Sequence, residues 1–121
     1  MSSTVLIIDD EDLVRETTKT MLTMVGFQVM TATDGLEALR IYPDFSAEID
    51  VVLLDVTMPT LSGLETLRRL LEINPAQKVI MASGDIDEEE NEFLALGARG
   101  SILKPFRLKK LIDSINAVIE S

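Results

Sequence analysis

Five short apolar segments alternate along the chain with segments that have helical spacing. The apolar segments are rich in valine and isoleucine, which is typical of buried β-strands. They are TVLIID (4–9), FQVMTA (27–32), DVVLLD (50–55), KVIMAS (78–83) and GSILK (100–104). Strands that alternate with helices predict βαβ units. We therefore expect an α/β fold of the (βα)5 type, with a doubly wound, five-stranded parallel sheet and helices on both faces.

Three intervening segments carry apolar residues at intervals of three and four, which predicts one buried face on each helix. The last segment has the clearest repeat, with Leu108, Leu111, Ile112, Ile115, Val118 and Ile119. The same spacing gives Leu13, Thr17, Met21 and Val25 after the first strand, and Leu64, Leu67, Leu70 and Leu71 after the third. Gly26 and Gly97 stand where two of the helices should end, because glycine favours helix C-termini.

Composition narrows the class of protein. The 121 residues fit a single domain that spans 1–121, and the absence of cysteine excludes disulfides and thiolate metal sites. No segment resembles a signal peptide or a membrane span, so we expect a soluble, cytoplasmic domain without membrane insertion. The net charge of −10 argues against direct binding of nucleic acid or anionic membranes. It fits a partner with basic patches or a bound cation.

Polar side chains follow the strands at the points where the strands end. Asp9 and Asp10 follow the first strand, and Asp55 ends the third. Ser83 ends the fourth strand and Lys104 ends the fifth. Parallel strands bring their carboxyl ends to one edge of the sheet, where ligands bind in open α/β folds. We therefore expect these five side chains to form one cluster.

The chemistry of this cluster favours phosphoryl transfer to a carboxylate. Carboxylates at neighbouring strand ends repel one another, since two unit charges about 4 Å apart interact by roughly 4 kcal/mol at an effective dielectric near 20. A divalent cation relieves that repulsion, and oxygen ligands without histidine or cysteine favour Mg²⁺. Lys104 adds a positive charge and Ser83 a hydroxyl donor. Asp55 is then the best candidate for a nucleophile that accepts a phosphoryl group.

Several motifs resemble one known family. IIDDE (7–11), LLDVTMP (53–59), ASG (82–84) and KPF (104–106) are similar to the motifs of receiver domains of two-component response regulators. The resemblance extends from Thr4 to Ile119, the extent of single-domain chemotaxis regulators. It implies the flavodoxin-like strand order 2-1-3-4-5. It also implies that a sensor histidine kinase or a histidine phosphotransfer protein donates a phosphoryl group to Asp55.

The resemblance implies further roles for individual residues. Asp10, Asp55 and the backbone carbonyl of Thr57 hold Mg²⁺, and Asp9 helps largely through water. Ser83 and Lys104 contact the phosphoryl oxygens, and the Lys104–Pro105 peptide bond is cis. A downstream protein target is implied, and the chain is expected to be a monomer or a weak dimer. It fits either a stand-alone relay protein or a receiver domain of a hybrid histidine kinase.

One position departs from the family pattern. Receivers usually carry tyrosine or phenylalanine three residues before the lysine, whereas Ser101 stands there. We therefore predict that the phosphorylated state is communicated mainly through residues 83–87 and the helix behind them. The side chains two positions after Asp55 and Ser83, which influence dephosphorylation in this family, are Thr57 and Asp85.

Other interpretations remain open from the residues alone. The acids DDED (9–12) also suit the start of a helix, and DIDEEENE (85–92) suits a solvated surface or a partner-facing edge. A Mg²⁺-dependent phosphohydrolase of the haloacid dehalogenase type uses the same residue types, but it expects an aspartate where Thr57 stands. A flavin-binding electron carrier would need more aromatic residues than four Phe and one Tyr. A receiver-like interaction module that takes no phosphate is the third alternative.

Overall fold

A computed structural model describes residues 3–84 and 89–121. Within them, five strands alternate with five helices. The strands are β1 (Thr4–Ile8), β2 (Gln28–Ala32), β3 (Val51–Asp55), β4 (Lys78–Ser83) and β5 (Gly100–Leu103). The helices are α1 (Asp12–Met24), α2 (Gly35–Phe45), α3 (Gly63–Ile73), α4 (Glu89–Leu96) and α5 (Leu108–Ile119). The predicted alternation is confirmed, and the strand bounds differ from those predicted by at most one residue.

The strands form one parallel sheet in the order β2-β1-β3-β4-β5, which confirms the predicted order. β3 lies at the centre, and all five of its residues are buried. In the sheet register, Leu54 lies opposite Ile8 of β1 and Met81 of β4. The carboxyl ends of β1, β3 and β4 therefore meet at one edge of the sheet.

The core is divided by the sheet into two layers, because successive strand side chains point to opposite faces. On one face, Leu6, Val52 and Val79 pack in a cluster that includes side chains of α2, α3 and α4. On the other face, Ile7 and Leu53 pack in a cluster with side chains of α1 and α5. Both faces of the sheet are thus covered by helices, as the apolar strand sequences predict.

The predicted buried face of α1 is wrong by about one residue. Leu13 and Val25 are exposed, Thr17 is exposed as well, and only Met21 packs partly against the core. The buried side chains of this helix are Arg15, Thr18 and Leu22. The pattern failed because two of these side chains are polar, and each can be buried only because it makes hydrogen bonds. The Thr18 hydroxyl, for example, donates to the Val14 carbonyl at 2.7 Å.

The predicted faces of α3 and α5 are confirmed. Leu67 and Leu70 are fully buried on α3, and Leu111 and Ile115 are fully buried on α5. Both predicted helix-ending glycines have positive φ angles, 102° at Gly26 and 117° at Gly97. Among the residues that the structure describes, no helix has the length and hydrophobicity needed to cross a membrane.

Candidate functional site

Asp55 ends the central strand and presents its carboxylate at the carboxyl edge of the sheet. Only 5% of the residue is exposed. The next residue continues the sheet, since the Val56 N–H donates to the Ala82 carbonyl at 3.0 Å. One residue later, the Thr57 N–H donates a hydrogen bond to Asp55 Oδ1 at 3.2 Å. The backbone on both sides of the carboxylate is therefore held in place.

Lys104 reaches this carboxylate from the far end of the chain. Its backbone N–H donates to the Ser83 carbonyl at 2.7 Å, which joins the end of β4 to the residue after β5. Its ammonium donates to Asp9 Oδ2 at 2.8 Å, across a sequence separation of 95 residues. The same nitrogen lies 3.3 Å from Asp55 Oδ1. The Lys104–Pro105 peptide bond is cis, as predicted.

The loop between β1 and α1, which we call the acidic loop (residues 9–11), supplies the remaining carboxylates. Asp9 is buried, and its Oδ1 accepts a hydrogen bond from the Glu11 N–H at 2.9 Å. Carboxylate oxygens of Asp9, Glu11 and Asp55 lie within 4.8 Å of one another. Asp10 is exposed and lies outside this group. Glu11 is thus a residue of the cluster that the sequence analysis missed, although the third acid of IIDDE signals it.

The other predicted site residues lie around the same edge. Ser83 ends β4 and is half-buried, and Thr57 is exposed in the loop after β3. Ser101 is exposed on β5, opposite Met81. The family position at Asp85 lies outside the described residues, and so do residues 85–87 of the predicted signalling segment 83–87 and residues 85–88 of the acidic run 85–92. The prediction about signalling without an aromatic residue therefore stays a prediction.

The electrostatics of the site centre on Asp55 and Lys104. Burial raises the pKa of the Asp55 carboxyl to about 6; the Asp9 charge adds to this rise, whereas Lys104 and the Thr57 N–H oppose it. Burial by itself lowers the pKa of the Lys104 ammonium, but the hydrogen bond to Asp9 and the charge of Asp55 outweigh that effect. The pKa of Lys104 therefore lies above its usual range. At neutral pH the site holds an ionised Asp55 beside a protonated lysine.

The raised pKa predicts that Asp55→Asn stabilises the metal-free protein at neutral pH. A carboxyl that is harder to ionise in the folded state lowers stability as pH rises from its ordinary pKa of 3.8 to its folded value of about 6. Asparagine removes that penalty. We expect the variant to gain on the order of 1–3 kcal/mol of unfolding free energy above pH 7, measured by urea unfolding with a chelator present.

The pH dependence of the unfolding free energy shows whether the gain comes from the Asp55 carboxyl or from a general effect of the substitution. Well below the ordinary pKa of 3.8 the carboxyl is protonated in both the folded and the unfolded state, so parent and variant should then have similar stability. The difference between their unfolding free energies should grow between pH 4 and 6 and stay constant above that range. Asp50→Asn is the control, because Asp50 is an exposed residue at the opposite end of the same strand. A gain in Asp55→Asn that is equal at pH 3.5 and pH 8 would contradict the prediction.

The donor atoms of the cluster suit a hard divalent cation. Three carboxylates are grouped within coordination range of a shared ion, and the chain contains no histidine or cysteine. Oxygen ligands of this kind favour Mg²⁺, Ca²⁺ or Mn²⁺ over softer metals. The cluster therefore has the composition of a metal site, and it also contains a buried carboxylate that lies next to an ammonium group.

Comparisons with known proteins agree with this site. The family model of the response regulator receiver domain matches residues 5–116. The chemotaxis protein CheY of Thermotoga maritima is 32% identical over 120 residues, which cover 98% of each chain. The sensor kinase CckA of Brucella abortus is 37% identical over 120 residues, 98% of this chain, but only 13% of CckA is covered.

One similar solved structure has the same fold and contains BeF3 and Mg²⁺. The crystal structure of the CheX–CheY–BeF3–Mg²⁺ complex from Borrelia burgdorferi matches with a TM-score of 0.91 at 33% identity. The match covers 96% of this chain and 88% of that one. The fold, the acidic cluster and the family match lead to the same conclusion: the chain belongs to the response regulator receiver domain family of two-component signal transduction.

Proposed function

We propose that Asp55 is the phosphoacceptor of this receiver domain and that residues 1–121 act as one receiver unit. The observation that carries the proposal is the position of the Asp55 carboxylate. It ends the central strand, lies 3.3 Å from the Lys104 ammonium, and shares a cluster with Asp9 and Glu11. A buried carboxylate with a cation on one oxygen and further acids beside it suits transfer of a phosphoryl group.

In the proposed reaction, an Asp55 carboxylate oxygen attacks the phosphorus of a phosphohistidine on a sensor kinase or phosphotransfer protein. The new P–O bond forms as the P–N bond breaks, and the histidine nitrogen leaves with the bonding electrons. Because the pKa of Asp55 is about 6, the carboxylate is mostly ionised and nucleophilic at pH 7. Lys104 and the Ser83 hydroxyl, at the ends of neighbouring strands, would contact the phosphoryl oxygens. The domain promotes only its own phosphorylation and dephosphorylation.

We propose Mg²⁺ as the cation of this site. By family resemblance Asp10, Asp55 and the Thr57 carbonyl would hold it directly and Asp9 through water, and the grouping within 4.8 Å adds Glu11. When bound, the ion supplies positive charge that offsets the carboxylates and the transferring phosphoryl oxygens. Support comes from the oxygen-only donor set and from the BeF3 and Mg²⁺ in the Borrelia burgdorferi complex.

The partner we propose upstream is a sensor histidine kinase or a histidine phosphotransfer protein, and the partner downstream is a protein. The similarity to part of the sensor kinase CckA supports the first. The net charge of −10 supports a basic protein surface over nucleic acid as the direct partner. The proposed signal is a change of conformation that follows phosphorylation of Asp55.

Intact mass measurement after incubation with acetyl phosphate and Mg²⁺ tests the phosphoacceptor. We expect the parent and the Asp50→Asn control to gain one phosphoryl group. Asp55→Asn, or the parent with chelator, should gain none. A phosphoryl group retained in Asp55→Asn would show that another residue is the acceptor. If no adduct forms, a beryllofluoride titration decides: saturable binding that needs Mg²⁺ supports a short-lived acyl phosphate, and no binding overturns the proposal.

A further inference from the structure

We propose that Arg15 is a positioning residue that holds the acidic loop in the conformation that binds the cation. The inference rests on the proposed Mg²⁺ site. Arg15 lies on α1, one turn beyond the loop, and only 8% of it is exposed. Its Nη1 donates to the backbone carbonyl of Asp9 at 3.0 Å, and its Nη2 donates to Asp12 Oδ1 at 2.6 Å. Asp12 is the first residue of α1, so one guanidinium links the backbone at the start of the loop to the first turn of the helix that follows it.

The choice of arginine at this position needs an explanation beyond packing. Leu22, on the same buried face of α1, is apolar and fully buried, so the sheet accepts an apolar side chain from this helix. A buried arginine lowers stability unless its N–H groups are satisfied. The planar guanidinium can donate in two directions at once, which a lysine ammonium on a flexible stem does less well. Its buried hydrogen bond goes to the backbone of the acidic loop, whereas its contacts with Asp12 and Glu16 lie along α1.

The target atom on Asp9 is also informative. Arg15 binds the backbone carbonyl of Asp9 and leaves the carboxylate for other partners. Oδ1 of that carboxylate accepts the Glu11 N–H, and Oδ2 accepts the Lys104 ammonium. The guanidinium thus fixes the backbone of the loop while the carboxylates remain directed into the cluster.

Loss of this tether should weaken cation binding without removing any ligand. A loop that is free to rearrange must be ordered when the ion binds, and that ordering lowers affinity. Residues that orient metal ligands typically change metal affinity by about 10- to 100-fold when they are replaced. We therefore expect Arg15→Met to raise the Mg²⁺ dissociation constant about 10-fold. Arg15→Lys keeps the charge and can reach one acceptor. Its Mg²⁺ dissociation constant should lie between those of the parent and Arg15→Met.

Calorimetric or NMR titration of the metal-free full chain with Mg²⁺ measures this effect directly, with no need for phosphorylation. Leu22→Ala is the matched control, because it removes a buried side chain from the same helix face and destabilises the fold without touching the loop. Its dissociation constant should equal that of the parent.

The possible outcomes are distinct. A parent that binds Mg²⁺ and an Arg15→Met variant with the same affinity would overturn the positioning role alone. Equal weakening in Arg15→Met and Leu22→Ala would also overturn it, because the effect would then follow general stability. A parent that shows no saturable Mg²⁺ binding would overturn the proposed metal site, and the role of Arg15 with it.

Discussion

Gly63→Ala is expected to lower the free energy of unfolding by about 2–3 kcal/mol or more, near the upper end of the range for overpacked sites. A Cβ atom at this position would lie 2.7 Å from the Asp55 carbonyl oxygen, 2.8 Å from Val56 Cα and 2.9 Å from the Val56 carbonyl oxygen. All three are backbone atoms, so no flexible side chain can move aside. Either the central strand or the start of α3 must shift.

The shift would also reach the site, because Gly63 packs against the residue that we propose as the phosphoacceptor. The Gly63 N–H donates to the Val56 carbonyl at 3.2 Å, and this bond closes the loop that follows Asp55. Alanine would push on that carbonyl from the same side. We therefore expect slower phosphorylation by acetyl phosphate in Gly63→Ala, in addition to the loss of stability.

Urea unfolding of two alanine variants tests the stability prediction. Gly84→Ala is the control, because Gly84 is exposed and a Cβ atom there would have no neighbour within 4 Å among the described residues. The control should change stability by no more than about 0.5 kcal/mol, as is usual for surface positions. Equal stability of the two variants would show that the backbone around Asp55 yields easily, and the close-packing argument would then be wrong.

The central part of the fold could be predicted because its sequence signals are local and unambiguous. The apolar run of β3 ends in an acid, and this pattern alone placed Asp55 at the carboxyl edge of a buried strand. The grouping of Asp9 with Lys104 followed from topology, since parallel strands end at the same edge even when 95 residues separate two side chains. The strand order came from the family resemblance, because nothing in the apolar segments distinguishes one order from another.

The parts that were missed depend on hydrogen bonds made by polar groups that the fold buries. Hydrophobic periodicity treats arginine as exposed, so it predicted a face of α1 that includes the exposed Leu13 and omits the buried Arg15. The grouping of the Glu11 carboxylate with Asp9 and Asp55 likewise depends on the turn of the acidic loop, in which the Glu11 N–H donates to Asp9. The conformation of such a turn depends on which buried polar groups need hydrogen-bond partners. The sequence alone does not show which groups become partners.

Lys104→Met is expected to lower the unfolding free energy of the metal-free protein by about 2–4 kcal/mol at pH 8, since loss of one partner of a buried ion pair typically costs about 3–5 kcal/mol. The ammonium lies 2.8 Å from Asp9 and 3.3 Å from Asp55, and both carboxylates are buried. Methionine keeps most of the side-chain volume but removes the charge. The two ionised acids would then face each other without a cation.

The loss should depend on pH and on Mg²⁺. Without Lys104 the folded pKa of Asp55 should rise above about 6, so protonation of Asp55 at pH 5 relieves most of the repulsion. The destabilisation should therefore be small at pH 5 and grow towards pH 8. Added Mg²⁺ should restore stability at pH 8 more in Lys104→Met than in the parent, because the ion then replaces the positive charge that the ammonium supplied beside these carboxylates.

Lys78→Met is the control that separates the contribution of the Lys104 charge from the contribution of its side-chain packing. Lys78 is also a partly buried lysine, but among the described residues its ammonium donates to main-chain oxygens of Ile119 and Ser121, and not to an aspartate or glutamate side chain. Its replacement should lower stability by a similar amount at pH 5 and pH 8, with no extra response to Mg²⁺. If Lys104→Met showed that same flat profile, the methylene groups of Lys104 would be its main contribution, and the ammonium could not be what balances Asp9 and Asp55.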